Sequence, residues 1–198
     1  AAERRAFGRT LALRIKARND GCMVSTVITL RRARLADAAE IAEVHDCAWR
    51  EAYRGVIPGR ELEKMIARRG PRWWRGAITR GTRIAVVDFD ESVAGYVSYG
   101  RNRLGDAETE GEIFELYLAP EFQGLGFGRR LFNAASRDLA SHGFANCLVW
   151  VLADNHRAVR FYEKLGGALR RKVQERFGEA FLDRIGYEFE LPANGSFT

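Results

Sequence analysis

The spacing of hydrophobic residues along this chain changes several times, and each change marks an element. Val27-Ile28-Thr29-Leu30, with the following Arg31-Arg32-Ala33, reads as a first strand over 27–33. The period then lengthens. Ile41, Val44, Ala48 and Trp49 fall three, four and one residues apart, which predicts an amphipathic helix over 38–53. Asp37 stands just before it and Glu40 three residues on, the pattern of an N-cap with its capping-box partner. Pro58-Gly59 breaks the chain, a second helix covers about 60–69, and Pro71 opens a third through Trp73, Trp74 and Ile78.

The second half begins with strands. Runs 82–89 and 92–100 flank Asp90-Glu91 as a hairpin, and the polar stretch 101–111 is a loop before another strand at 112–118. Leu131, Phe132, Ala135 and Leu139 then mark a helix over about 126–142 that Gly143 ends. The apolar run 147–152 is a buried strand, 155–165 a helix stopped by Gly166-Gly167, and 169–176 with 181–191 a closing hairpin around Gly178. The order is β-α-α(α)-β-β-β-α-β-α-β-β, a single α/β domain over 24–198 without internal repeat or linker.

Composition adds limits. At 198 residues, with 46% hydrophobic and 29% charged residues, the chain has the make-up of a soluble protein with a substantial core. No apolar run reaches the ~20 residues of a membrane helix, so no membrane partner is expected. Three cysteines (Cys22, Cys47, Cys147) and three scattered histidines (His45, His142, His156) lack metal spacing, which fits a reducing cytoplasm and no metal cofactor. Six basic and two acidic residues fall within 1–22, leaving only +2 of the net charge of +6 for residues 23–198. The positive charge thus belongs to an N-terminal extension, residues 1–23, and no nucleic-acid partner is expected. The extension reads as dispensable and poorly ordered, with a short helix around 3–18 as the alternative.

The chemistry concentrates at Gln123-Gly124-Leu125-Gly126-Phe127-Gly128-Arg129-Arg130, between the strand at 112–118 and the next helix. Glycines at alternate positions let the backbone approach a ligand closely, and the exposed N–H groups opening a helix attract anions. A P-loop would require Gly-Lys-Ser/Thr, and a dinucleotide fingerprint would require G-x-G-x-x-G; neither is present. The pattern Gln-x-x-Gly-x-Gly resembles the acetyl-CoA pyrophosphate loop of the GNAT superfamily of N-acetyltransferases. Further along, Asp154-Asn155-His156-Arg157-Ala158-Val159-Arg160-Phe161-Tyr162-Glu163-Lys164-Leu165-Gly166-Gly167 resembles that superfamily's N-x-x-A-x-x-F-Y-x-x-x-G-F motif, with Gly167 where an aromatic is usual. The likeness covers about 27–191.

It implies a mixed, mostly antiparallel sheet of six to seven strands, helices on both faces, and two splayed parallel strands, 112–118 and 147–152, at a site for acetyl-CoA as co-substrate. Leu116, Tyr117 and Leu118 would offer backbone groups to the pantetheine amides. Gln123, Gly124, Leu125, Gly126, Phe127, Gly128, Arg129 and Arg130 would hold the pyrophosphate, and Asn155 would reach the pantetheine arm or serve only as a helix cap. By residue type alone Tyr162 would be a core tyrosine beside Phe161. Its place in the motif, seven residues after Asn155, instead implies contact with the cofactor and proton or hydrogen-bond donation to the departing thiolate.

An alkylammonium with a pKa of ~10 must lose a proton before it attacks. Glu112, eleven residues before Gln123, matches the base of histone-acetylating members and is the first candidate; Glu115 is the second. Either could equally be a paired structural carboxylate. Strand alternation sets Glu112 with Phe114 and Leu116 on one face, and Glu115 with Ile113 and Tyr117 on the other. Trp150 stands where ribosomal-protein acetyltransferases carry a glutamate. Acceptor contacts are expected from Trp49, Tyr53, Glu112 and Tyr187, with Trp73, Trp74 and the acidic Asp106-Glu108-Glu110 nearby. The segment Val44–Gly55 resembles bacterial small-molecule members, pointing to a small amine or polyamine acceptor. A non-catalytic acyl-CoA sensor and a protein lysine or N-terminal acetyltransferase are the alternatives, and a homodimer is left open.

Overall fold

The computed structural model describes residues 15–19, 22–26, 28–103 and 109–192. Strands β1 (Ile15–Asn19) and β2 (Cys22–Thr26) form a two-stranded antiparallel sheet of their own. Within the expected extension, residues 15–19 are therefore extended, not helical, and residues 1–14 lie outside the described residues.

The remaining elements follow the order read from the hydrophobic pattern. They are β3 (Ile28–Arg32), α1 (Ala38–Tyr53), α2 (Gly59–Ala67), α3 (Pro71–Thr79), β4 (Arg83–Phe89), β5 (Ser92–Arg101) and β6 (Gly111–Leu118). After these come α4 (Phe127–Ser141), β7 (Asn146–Leu152), α5 (His156–Lys164), β8 (Ala168–Phe177) and β9 (Ala180–Glu190). One seven-stranded sheet results, in the order β3-β4-β5-β6-β7-β9-β8, with every neighbouring pair antiparallel except β6 and β7. Asp90 and Glu91 both take positive φ (53° and 66°), the two-residue turn whose twist suits a hairpin.

Strand β4 explains why helices cover both faces. Its residues alternate between two cores, Ala85 and Val87 packing with Leu131 and Ala135 of α4, Ile84 and Val86 with Ile41 of α1 and Trp74 of α3. Helix α5 joins α4 on the first face through Tyr162, which clusters with Tyr187 and Phe189 of β9. On the other face, the end of α1 and α2 build a third cluster in which Tyr53, Leu62 and Ile66 meet Leu152 and Phe177.

Trp74 anchors the α1–α3 side. It is 0% exposed, with its ring 4.8 Å from those of Trp73 and Tyr96. Deleting so large a buried ring leaves a cavity the surroundings cannot close. Trp74→Ala is expected to lower stability by about 3–5 kcal/mol, read as a fall in the urea midpoint at unchanged slope.

The predicted capping box does not form. The Asp37 carboxylate is taken by Arg31 (2.7 and 2.9 Å) and by the Arg34 amide (2.5 Å), closing a short 3₁₀ turn, Leu35–Asp37. Glu40 reaches across to accept from the Val93 amide at 2.7 Å, tying α1 to the start of β5. Asp37 thus closes the turn before α1 and not α1 itself, while Glu40 serves a distant strand.

Candidate functional site

The site begins where the sheet comes apart. Parallel pairing between β6 and β7 covers three positions, Gly111–Cys147, Glu112–Leu148 and Ile113–Val149. Past them β6 runs on to Leu118 and β7 to Leu152 without pairing to each other. At the same place β6 gains a residue. Its partners on β5 step from Ser98–Glu115 to Tyr99–Ile113 and pass over Phe114, a β-bulge.

The bulge corrects the face assignment drawn from strict alternation. Ile113 and Leu116 stand opposite Tyr99 and Val97, and all four pack in the core beneath α4. Glu112, Glu115 and Tyr117 stand opposite Gly100, Ser98 and Tyr96 on the α1 side. Glu112 and Glu115 therefore share a face.

Beyond the splay the chain turns through a short 3₁₀ segment into α4. Gly124 and Gly126 hold φ of +80° and +83°, a left-handed backbone that glycine adopts without steric cost. The amides of 124–129 meet no backbone acceptor among the described residues. A run of free N–H groups at the positive end of a helix dipole is a seat for phosphate oxygens. It opens onto a cleft of about 600 Å³ between α1, the splayed end of β6, the glycine turn and α5.

Most of the expected cofactor residues line this cleft: Leu116, Tyr117, Leu118, Gln123, Gly124, Gly126, Gly128, Arg129, Asn155 and Tyr162. Three side chains are directed elsewhere. Leu125 is 58% exposed, Phe127 is buried against Phe89 and Phe122, and Arg130 lies outside the lining. Asn155 caps α5 by accepting from the Ala158 amide at 3.1 Å and faces the cleft as well. Sequence reasoning missed the α1 wall. Glu51 lines the cleft and accepts from Gln123 (2.8 Å) and Arg157 (3.2 Å), a contact with no local sequence signal. His156 and Arg157, also in the lining, lay inside the motif that named Asn155 and Tyr162.

At the inner end, aromatic hydroxyls gather. The Tyr53 hydroxyl lies 2.9 Å from that of Tyr117, with Asn155 and Tyr162 within electrostatic reach. Trp49 packs on Tyr53 with ring centroids 5.0 Å apart. Burial raises the Tyr162 pKa, with Tyr53 and Cys147 adding to the effect, so the phenol keeps its proton. Its hydroxyl has no hydrogen-bond partner among the described residues, although the ring is packed by Phe132 and Phe189. Burial also pushes the Cys147 thiol up to about 12, which leaves it a poor nucleophile.

Tyr187, expected beside the acceptor, is not brought there. It is 2% exposed in the core beneath α5, and its hydroxyl donates to Glu163 at 3.2 Å. The register of β9 against β7 turns it to that face, opposite Val149. Trp74 is core, while Trp73 lies under the Arg69 guanidinium, 3.8 Å from its ring centroid. Of the acidic cluster, Asp106 and Glu108 lie outside the described residues, and Glu110 accepts from the Ala145 amide.

The two candidate bases differ in their partners. Glu112 is 2% exposed and held three times by Arg103, through the backbone amide (3.0 Å), Nε (3.1 Å) and a terminal nitrogen (2.5 Å). Glu115 accepts from the Tyr96 hydroxyl at 3.1 Å and pairs with Arg69 at 3.2 Å. Burial raises the Glu115 pKa, against the opposing pull of Arg69, Tyr96 and Arg103. Among the described residues no group of three His, Cys, Asp or Glu could hold a metal ion, and no helix is long and apolar enough to cross a membrane.

Comparison with known proteins agrees with this geometry. Residues 58–167 match the Acetyltransferase (GNAT) family. The uncharacterized N-acetyltransferase YuaI of Bacillus subtilis (strain 168) is 33% identical over 137 residues, 69% of this chain and 78% of YuaI. Among solved structures, the PaiA N-acetyltransferase of Thermoplasma acidophilum in complex with coenzyme A superimposes with a TM-score of 0.65 at 20% identity, covering 79% of this chain and 97% of that one. YncA of Salmonella typhimurium, solved with its cofactor acetyl-CoA, gives 0.62 at 22% identity over 85% and 96%. The aromatic that the family motif carries at position 167 has a spatial substitute here, since a Cβ on Gly167 would lie 2.6 Å from the Phe189 ring. With the family matched over 110 residues and the splayed strands, glycine turn and motif tyrosine in place around one cleft, the chain belongs to the GNAT family of N-acetyltransferases, acyltransferases that depend on acetyl-CoA.

Proposed function

We propose that this protein transfers the acetyl group of acetyl-CoA directly to the amine of a small molecule. The observation that carries the reading is the opening between β6 and β7, flanked by the unpartnered amides of 124–129 at one end and the Tyr162 hydroxyl at the other. The fit is chemical. Free N–H groups suit a diphosphate, the unpaired edge of β6 suits the amides of a pantetheine arm, and a protonated phenol suits a leaving sulfur. The bound thioester supplies an acyl carbon open to nucleophilic attack.

Glu115 takes the proton that the amine loses as the N–C bond forms. Tyr162 donates a hydrogen bond to the sulfur as the C–S bond breaks. A phenol is already a weaker acid than a thiol and burial raises the Tyr162 pKa further, so Tyr162 stabilises the thiolate by hydrogen bonding and need not surrender its proton. Glu115 is preferred to Glu112 because the three bonds from Arg103 occupy the Glu112 carboxylate. Glu112→Gln is then expected to lower stability by about 1–3 kcal/mol without changing the pH at which the rate rises. Parallel urea melts and pH–rate profiles check both halves of that expectation.

The charges also bear on the acceptor. Glu112, Glu115 and Glu175 are each matched by an arginine, namely Arg103, Arg69 and Arg184. Among the described residues these three carboxylates are thus committed to arginines, and a cationic acceptor would have to compete with those guanidinium groups for them. The test is thiol release from acetyl-CoA across polyamines, aminoglycosides, amino acids and lysine peptides. Turnover confined to one amine class establishes reaction and acceptor together. Binding of acetyl-CoA with no turnover on any amine would move the protein to the class of acyl-CoA sensors.

A further inference from the structure

Behind Glu115 runs a polar chain that the chemistry above leaves unused. Glu115 Oε2 accepts from the Tyr96 hydroxyl at 3.1 Å, and the Tyr96 oxygen lies 2.7 Å from His45 Nδ1. His45 and Tyr96 are both 0% exposed, and the His45 ring is surrounded by Trp49, Trp74 and Tyr117. Leaving polar groups so deep without hydrogen bonds is costly, and most of them are paired.

The direction of the chain follows from counting hydrogens. A phenol has one. While Glu115 is ionised its oxygens only accept, so Tyr96 gives its hydrogen to Glu115 and its own oxygen must receive one. The His45 Nδ1 is the atom in place to supply it. That assigns the Nδ1–H tautomer and leaves Nε2 as the bare nitrogen, and Nε2 has no partner. Burial, helped by Arg69, holds the His45 pKa down to about 3, so the imidazole is a neutral donor throughout the working pH range. The other groups facing Glu115 are Arg69 from the end of α2, Arg103 from the end of β5, and Tyr117 and Tyr53 with their hydroxyls. Glu112, on the same face, is neutralised by Arg103.

We propose that His45 is a positioning residue which locks the Tyr96 hydroxyl onto Glu115 and so sets the pH at which that carboxylate can accept the proton of the amine. This rests on Glu115 being the base. Without His45 the Tyr96 hydroxyl is free to turn away, the ionised carboxylate loses a donor, and its protonated form gains. The pH at which Glu115 ionises then rises, so activity that requires the ionised form moves to higher pH.

The decisive measurement needs no acceptor. Full-length protein carrying carboxyl-¹³C glutamate is titrated by NMR, with the Glu115 resonance assigned by its loss in Glu115→Gln. Tyr96→Phe and His45→Leu are each expected to move the Glu115 midpoint upward by about one pH unit. His45→Asn, whose side-chain amide can replace the Nδ1–H, is expected to keep it. A midpoint unmoved in Tyr96→Phe, or moved as far by His45→Asn as by His45→Leu, overturns the proposal. If His45→Leu fails to fold, the near-isosteric Tyr96→Phe and the donor-keeping His45→Asn still decide the question. The base itself is tested separately, by the pH dependence of thiol release with the amine the panel identifies. If Glu115→Gln leaves that profile unchanged, Glu115 is not the base, whatever the titration shows. If it removes the limb, Tyr96→Phe should lower the rate on the acid side about tenfold and leave the alkaline plateau in place.

Discussion

Tyr162→Phe is expected to lower kcat about 10- to 100-fold while leaving the affinity for acetyl-CoA within about twofold. The change removes one oxygen and almost no packing. Phe132 and Phe189 contact the ring through its faces and edges, with centroids 6.5 and 6.2 Å away, and a phenylalanine keeps those contacts. What disappears is a hydroxyl with no partner among the described residues, set in the wall of the cleft. A hydrogen bond to a charged group is worth about 1.5–3 kcal/mol, which converts to that range of rates if the bond is made to the departing thiolate and not to the ground-state thioester. Steady-state thiol release together with calorimetric titration of acetyl-CoA separates the two effects. A mutant with unchanged kcat would remove Tyr162 from the chemistry, and one with equal losses in kcat and affinity would make it a structural wall.

Gly126→Val should weaken acetyl-CoA binding at least tenfold, an effect that crowding cannot explain. A Cβ at this position meets nothing within 4 Å. The difficulty is the backbone, held at φ +83°, where a β-branched residue is a genuine outlier. Valine relieves the strain by rotating the peptide toward negative φ, and the rotation turns away the amides that open α4. Gly143 supplies the control. It has the same left-handed backbone (φ +88°) and the same open surroundings, but stands just past the C-terminal end of α4, away from the cleft. Gly143→Val should lose a similar amount of thermal stability and retain full affinity. Equal affinity losses in both variants would mean that binding follows general stability and that the turn is not a phosphate seat.

The elements were legible because they are announced by period and punctuation. Ile41, Val44 and Ala48 trace one helical stripe, Pro58-Gly59 and Pro71 mark the breaks, and the site motifs are contiguous, so Gln123–Gly128 and Asn155–Tyr162 could be read without knowing what folds onto them. What stayed hidden depends on partners distant in the chain. The Asp37 carboxylate looked like a cap until Arg31, anchored by Asp88 of β4, claimed it. Tyr187 looked available because the face of a terminal strand depends on its register with β7, and nothing in β9 states that register. The His45–Tyr96–Glu115 chain joins α1, β5 and β6, three elements whose meeting no local pattern predicts.

Phe114 gives no local sign of its role, because one more apolar residue in the run Ile113-Phe114-Glu115-Leu116 is indistinguishable from ordinary alternation. Yet it acts on the strand as a one-letter insertion acts on a reading frame. Everything before it is read in one phase and everything after it in the other. Were Phe114 to take an ordinary place in the ladder instead of bulging from it, the two faces of the second half of β6 would exchange, sending Glu115 and Tyr117 into the core beneath α4 and bringing Leu116 and Leu118 out beneath α1. The phase of a single strand thus decides whether this sheet encloses a reaction or only oil.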